Sequence, residues 1–164
     1  MYPATLGVRE RWSTVGAVVL GVVVFSAAGL AFTVKTGDPR WLFFGLPFTL
    51  LLFVMGRYAP TGFRLASDGI HVERRAGAKV IPYRAIRAAD DTPRSVVGMS
   101  IFGSRGVFGR FGRFWNGSLG HYELFLTNRS GVVWLDTAKG WVGLSPDNPQ
   151  QFLEQLRARL ALVR

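Results

Sequence analysis

The residues with the clearest chemical potential lie in residues 98–120, a glycine-rich stretch in which arginines and aromatic side chains are interleaved. The stretch has no acidic residue and contains two consecutive Phe-Gly-Arg repeats. Guanidinium groups pair with phosphates, and aromatic rings favour the boundary between headgroups and acyl chains. We therefore predict a loop that binds lipid or a partner. Its candidate binding residues are Arg105, Phe108, Arg110, Phe111, Arg113, Phe114 and Trp115.

Other interpretations of this stretch remain open. Its rings could instead pack inside a domain or against neighbouring helices, as most large apolar side chains do. Arginines beside aromatic rings also occur where proteins bind single-stranded nucleic acid, although a membrane tether disfavours that partner. The stretch is longer than an ordinary hairpin connection requires, which favours a long loop.

No catalytic or metal-binding set stands out elsewhere. The chain has no cysteine, which excludes thiol catalysis, disulfides and cysteine-ligated metals. Its two histidines are His71 and His121, and His121 shares a predicted strand face with Glu123. The simplest interpretation of that arrangement is an exposed polar pair. We expect no enzymatic activity, no cofactor and no metal.

The composition is basic and apolar at once. The 164 residues carry a formal net charge of +10, and 49% of them are hydrophobic. That apolar fraction is natural for a protein with membrane spans. Basic residues near a bilayer are attracted to anionic headgroups by about 1 kcal/mol each. The same charge could attract nucleic acid, but the apolar runs described next favour a membrane.

Two apolar runs near the N-terminus predict a transmembrane helical hairpin. Residues 14–34 carry no charge and would extend about 31 Å as a helix, which matches the hydrocarbon core of a bilayer. Residues 41–58 are bracketed by aromatic side chains and contain Pro47, where we expect a kink. The turn at residues 35–40 is short, so the two helices must be antiparallel neighbours.

Alternatives for the two runs are a cleaved signal peptide and a buried core helix, respectively. The first run is longer than the apolar region of a signal peptide, and a second run follows at once. Basic residues near the span ends set the orientation. Those outside the hairpin turn are Arg9, Arg11, Arg57 and Arg64, and those in the turn are Lys35 and Arg40. This bias favours both termini in the cytoplasm.

The rest of the chain predicts a mostly β domain. Short runs bounded by turn residues predict about seven strands. They are residues 62–66, 70–73, 79–83, 86–91, 122–126, 132–136 and 141–144. A helix at about residues 149–162 closes the chain, because Asn148 is a natural N-cap and Pro149 suits the first helical position. Its apolar stripe is Phe152, Leu153, Leu156, Leu160 and Val163.

We therefore predict two domains. Residues 1–58 form the N-terminal tail and the transmembrane hairpin, and residues 59–164 form a barrel or sandwich of about seven strands capped by the C-terminal helix.

This order of elements resembles the bacterial pleckstrin-homology-like (PH) domains that follow a pair of transmembrane helices. The resemblance covers most of residues 60–160. It rests on the sequence IPYRAI at residues 81–86, the strand that ends in LTNR at residues 126–129, and LSPDNPQQF at residues 144–152. It implies a seven-stranded barrel capped by a C-terminal helix. It does not imply phosphoinositide binding, because a fold does not determine a ligand.

Together these features predict a non-catalytic scaffold or adaptor, integral to the inner membrane of a bacterium as a multi-pass protein. Its expected partners are anionic lipids, a partner protein or further copies of the chain. A second hypothesis is an accessory subunit of a membrane enzyme or transporter that acts on a lipid or ion, although neither span has an ionisable residue in its core. A basic nucleic-acid-binding domain is a remote third hypothesis, and we expect no nucleic acid.

Overall fold

The computed structural model describes residues 1–163, with side chains as far as Leu162. Two long apolar helical segments come first, followed by two β-sheets and a C-terminal helix. This order confirms the predicted fold class. Within the described residues the two sheets do not close into a barrel, so the arrangement is of two separate sheets rather than the barrel that the resemblance implies.

The helical hairpin differs in detail from the prediction. Helix α1 (Val8–Thr36) begins earlier than the predicted span, and Gly37, which adopts a left-handed conformation, caps its C-terminus. A 3-10 helix (Pro39–Gly45) then leads directly into α2 (Leu46–Tyr58). The expected kink at Pro47 is wrong. Pro47 lies in the first turn of α2, where a proline costs no hydrogen bond.

Both helical segments are long and apolar enough to cross a membrane, and almost none of the most apolar stretch of either is buried. Because a 3-10 helix rises about 2.0 Å per residue and an α-helix about 1.5 Å, Pro39–Tyr58 extends about 33 Å. Residues 15–34 of α1 extend about 30 Å. The 3-10 segment therefore lengthens the shorter run to match its neighbour.

Stacked rings and one close backbone contact hold the hairpin together. Phe25 stacks on Phe48 with ring centroids 4.6 Å apart, and Phe32 stacks on Trp41 at 4.9 Å. A Cβ atom at Gly29 would lie 2.6 Å from the Trp41 carbonyl oxygen. Glycine is therefore required where α1 approaches the 3-10 helix, as is common between membrane helices.

The first sheet has the order β1-β2-β3-β4, and all its neighbours are antiparallel. Its strands are β1 (Tyr2–Pro3), β2 (Pro60–Leu65), β3 (Gly69–Arg74) and β4 (Lys79–Pro82). Ile70 and Val72 alternate along β3 and are fully buried, as the predicted period of two requires.

The second sheet has the order β5-β9-β10-β8-β7-β6, in which only β8 and β10 are parallel. Its strands are β5 (Ile86–Asp90), β6 (Met99–Gly106), β7 (Gly109–Asn116), β8 (Gly120–Leu126), β9 (Val133–Thr137) and β10 (Gly140–Leu144). The seven predicted strands correspond to β2 to β5 and β8 to β10. The prediction missed β1, β6 and β7.

The C-terminal helix α3 (Pro149–Val163) is capped as predicted, since the Asn148 side chain accepts a hydrogen bond from the Gln151 amide at 3.3 Å. Phe152 and Leu156 are fully buried, and Leu153 and Leu160 nearly so. Val163, the last residue of the predicted stripe, lies outside the described side chains. The helix covers a main core that also includes Phe63, Ile70, Leu135 and Leu144.

A second, smaller core lies on the opposite face of the second sheet. Its buried members are Phe114, Tyr122, Leu124, Leu126 and Trp134. Residues 91–98 cover this cluster, with Val96 packed against it. Arg94 anchors that segment by pairing with Asp90 at 2.7 Å and lying 4.0 Å from the centre of the Trp141 ring. Both faces of the second sheet are therefore occupied.

The N-terminal tail belongs to the β domain. Tyr2 pairs with Phe63 of β2 and meets the Phe152 ring edge-on at 5.1 Å. The Thr5 amide donates to the Asp147 carboxylate at 2.9 Å, and the Gly7 amide to the Thr127 carbonyl at 2.9 Å. These contacts tie the start of α1 to the first sheet, to the start of α3 and to the end of β8.

The predicted loop at residues 98–120 is wrong, because this stretch forms an antiparallel β-hairpin of β6 and β7. Gly103 and Gly112 lie opposite each other with φ angles of 129° and 118°. They remove side chains from both strands at one point and interrupt the alternation by which a strand is recognised. A Cβ atom at either position would overlap the backbone of the other strand.

We expect Gly29→Val to destabilise the helical hairpin, because overpacking a close contact costs about 1–3 kcal/mol. Gly16→Val on the same helix is the matched control, since a Cβ atom there meets no atom within 4 Å. Thermal unfolding of each variant in detergent, followed by tryptophan fluorescence, measures the difference. Equal unfolding temperatures for the two variants would show that the close contact does not stabilise the protein.

Candidate functional site

The tip of the β6–β7 hairpin contacts the base of the helical hairpin. The Phe108 amide donates to the Thr14 hydroxyl of α1 at 2.7 Å. Phe108 and Met55 of α2 both pack against the main core, and the Phe108 ring lies 3.4 Å from where a Cβ atom of Gly56 would be. Phe108 has a φ of 58°, which is unusual for a residue with a side chain. It therefore forms a wedge where both helices meet the domain.

The other phenylalanines of the predicted binding set are buried. Phe111 is 5% exposed and belongs to the main core, where it lies opposite Phe125. Phe114 is 1% exposed and stacks on Tyr122 with ring centroids 5.8 Å apart. These two rings and the Phe108 wedge make mainly internal contacts and do not form an exposed binding surface.

Arg110 also has a structural position. Its guanidinium donates to the Val96 carbonyl at 2.8 Å and so holds the segment over the second core, while its Nε is buried without a partner. Burial lowers the pKa of Arg110 below its usual value, and the nearby charges of Arg129 and Arg105 lower it further. Burial likewise raises the pKa of Tyr122, partly offset by the Asn116 amide.

The remaining predicted residues lie far apart along the hairpin. Arg105 is exposed near the tip, beside the helices. Arg113 lies midway, with its Nε 3.3 Å from the Glu123 carboxylate. Trp115 is seven residues beyond Phe108, or about 23 Å along an extended strand. The predicted set is therefore distributed over the whole length of β7 and does not form one surface.

Three turns of the β domain surround the base of the helices. The turn after β3 donates from the Ala76 amide to the Arg57 carbonyl at 2.8 Å, and the turn after β6 carries Phe108. The turn after β8 places Arg129 Nε 3.1 Å from the buried Glu10 carboxylate, without the alignment of a hydrogen bond. We call the exposed arginines here the basal rim. They are Arg9, Arg11, Arg57, Arg75, Arg105 and Arg129.

A groove runs between β4 and the second sheet, where the two sheets do not close, and we call it the seam groove. Its upper part has a volume of about 700 Å³ and lies over β8 and β10. Its lower part, of about 420 Å³, reaches Tyr58 at the end of α2. Both parts share Lys79, Arg113 and Glu123. Lys79 Nζ lies 2.5 Å from the Glu123 carboxylate and bridges the groove between the sheets.

Basic side chains dominate the upper groove. Arg84 and Lys139 are exposed, and neither side chain has an ion pair within residues 1–163. They are adjacent because the Ala138 amide donates to the Ala85 carbonyl at 3.1 Å. Sequence reasoning missed this site, since its residues come from separate segments that only the fold brings together. The one available signal was Arg84, inside a motif that carries the family resemblance.

The predicted pairing of His121 with Glu123 is replaced by the contacts of Glu123 with Lys79 and Arg113. The other histidine, His71, bonds to the Asp68 carboxylate at 2.8 Å and thereby lowers the pKa of Asp68. Among residues 1–163 no three His, Asp or Glu side chains are grouped as a metal site would require.

Comparison with known proteins identifies the β domain. A family model described as a bacterial PH domain matches residues 61–160. The chain belongs to the bacterial PH domain family. The matched residues begin in β2 and end in α3, so the PH domain contains nearly all of the seam groove. No curated protein and no solved structure matches the chain. Membership of this family supports a non-catalytic module.

We expect Phe108→Ala to weaken the contact between the PH domain and its helices. Removing a partly buried phenylalanine ring leaves a cavity and lowers the free energy of unfolding by about 2 kcal/mol. Phe102→Ala on the same hairpin is the control, because Phe102 is 78% exposed. Denaturant unfolding in detergent, followed by tryptophan fluorescence, compares the two. An equal effect of both substitutions would show that the Phe108 ring does not stabilise the contact between the PH domain and its helices.

Proposed function

We propose that this protein is a non-catalytic, membrane-anchored scaffold of the bacterial inner membrane. The helical hairpin spans the bilayer, both termini lie in the cytoplasm, and the PH domain contacts anionic headgroups and a partner protein. One observation carries this proposal. The basal rim surrounds the helices at the level where α1 and α2 leave the domain.

The hairpin has the dimensions and surface of a membrane anchor. Its two arms extend about 30 Å and about 33 Å, close to the thickness of a bilayer's hydrocarbon core. Large apolar side chains such as Leu20, Phe43 and Phe53 are more than half exposed along them. Lipid would cover these side chains, whereas in water they would favour aggregation.

The rim supports both the orientation and the lipid contact. Each arginine near an anionic surface contributes about 1 kcal/mol of attraction, so several acting together would hold the domain against the bilayer. Trp12 and Tyr58 lie at the same level and are exposed, as aromatic residues at a membrane boundary are. The hairpin turn, at the other end of the helices, carries two basic residues, Lys35 and Arg40, and one acidic residue, Asp38.

The exposed edge strand β6 is the evidence for contact with a partner protein. Met99 and Ile101 on this strand are each more than half exposed, and Trp115 on the neighbouring strand is 44% exposed. Contiguous apolar side chains on an otherwise polar domain mark interaction sites. Met99 and Trp115 lie at the end of the hairpin away from the helices, so a cytoplasmic protein is the partner that reaches them.

Single cysteines test the orientation, since the natural chain has none. We expect Lys35→Cys, in the hairpin turn, to react with a membrane-impermeant maleimide on intact spheroplasts. Ser118→Cys, in the turn after β7, should react only in inverted vesicles. The cysteine-free protein is the control for background labelling. Reaction of both positions from the same side of the membrane would rule out a spanning hairpin.

A further inference from the structure

The polarity of the residues that line the seam groove changes along its length. Its lower part lies beside Tyr58, the last residue of α2, and has an apolar floor that includes Phe102, Phe111 and Phe125, while Arg74 borders it over the Tyr58 ring. Its upper part is bordered by basic residues. They are Lys79, Arg84, Arg113 and Lys139. A ligand that fills both parts therefore needs an apolar segment over the phenylalanine floor and an anionic group that the basic side chains can contact.

Glycines create the space in the lower part. Gly103 and Gly112 face each other across β6 and β7 and line the groove without side chains. Phe102 beside them keeps 78% of its surface exposed. An exposed phenylalanine in a groove loses its contact with water when an apolar ligand binds, which stabilises the bound state. This part suits a hydrocarbon chain.

Glu123 is the one carboxylate among the described residues that line the groove. It binds Lys79 from the first sheet and Arg113 from the second, and Lys79 also lies 5.2 Å from the centre of the Phe125 ring. Arg84 and Lys139 have no such partner among the side chains that the structure describes, and they lie farther up the groove. The site therefore holds cations in excess of its own carboxylate and is complementary to an anion.

We propose that the seam groove binds one molecule of anionic phospholipid drawn from the inner leaflet. Its phosphate lies against Arg84, Lys139 and Arg113, and an acyl chain follows the lower groove back to the bilayer beside Tyr58. This proposal rests on the proposed membrane anchoring, which places the lower mouth at the membrane surface. The volume of about 700 Å³ lies within the range of roughly 300–1,000 Å³ that is common for small-ligand sites.

An acidic peptide fits the groove less well. A peptide that adds a strand needs a long free strand edge with available amides. Strand β4, which borders the groove, has four residues, and its last residue is Pro82, which has no amide hydrogen. A lipid does not need a free strand edge, because its contacts are with side chains.

Native mass spectrometry of the full-length protein tests the proposal. The protein is reconstituted with phosphatidylglycerol and phosphatidylcholine and then extracted in mild detergent. We expect one phosphatidylglycerol to remain bound, while phosphatidylcholine is lost. Arg84→Ser with Lys139→Ser should lower the bound fraction by about tenfold or more, because charge-assisted contacts are removed. Glu123→Gln should raise it, because Lys79 and Arg113 become available.

The matched control is Arg64→Ser with Arg157→Ser, which removes the same charge from exposed positions outside both the groove and the basal rim and should leave the bound fraction unchanged. An equal loss in both double variants would show general charge attraction and overturn the groove site. Release of the lipid by inorganic phosphate alone, or a copurified peptide in its place, would overturn the lipid assignment.

The two proposals fail separately. If the wild-type protein retains no phosphatidylglycerol while positions 35 and 118 still label from opposite sides, the groove proposal fails and the membrane anchoring stands. If both positions label from the same side, the anchoring fails and the groove proposal fails with it.

Discussion

The contact of Phe108 with the helices is the constraint on which the rest of the structure depends. Two apolar helices joined to a small domain by single peptide links could otherwise take many orientations. Phe108 packs against α2 and bonds to Thr14 of α1, so both helices are held by one turn of the sheet. The N-terminal tail adds a second attachment through Tyr2 and Gly7. The domain and the hairpin therefore have one defined relation.

That relation determines which surfaces are near the helices and which are remote. Because of it, the basal rim lies around the helices, the lower seam groove ends beside Tyr58, and Trp115 lies at the end of the domain remote from the helices. Without it, the same arginines would be scattered over a basic domain, and their attraction to a bilayer would have no preferred direction. The proposed attraction of the basic domain to a bilayer therefore gains a direction from the packing of the hairpin tip and from the attachment of the N-terminal tail.

The elements that were predictable from the sequence are those that local patterns specify. In β3, Ile70 and Val72 alternate with more exposed residues and face one core. Helix α3 begins directly after Asn148, whose side chain caps it. The β6–β7 hairpin was missed because paired glycines at 103 and 112 erase the alternation. Strand β1 was missed because two residues have no period and become a strand only by pairing with β2. The seam groove combines residues from separate segments, which no local pattern can reveal.

The most direct test of this account measures the depth of two positions relative to the bilayer. Arg105→Cys and Ser118→Cys lie near opposite ends of the β6–β7 hairpin and can each carry a fluorophore in the otherwise cysteine-free protein. In vesicles that contain quencher-labelled headgroups, the account predicts strong quenching at position 105 and little at position 118. Equal quenching at both positions, or stronger quenching at 118, would contradict the orientation set by Phe108.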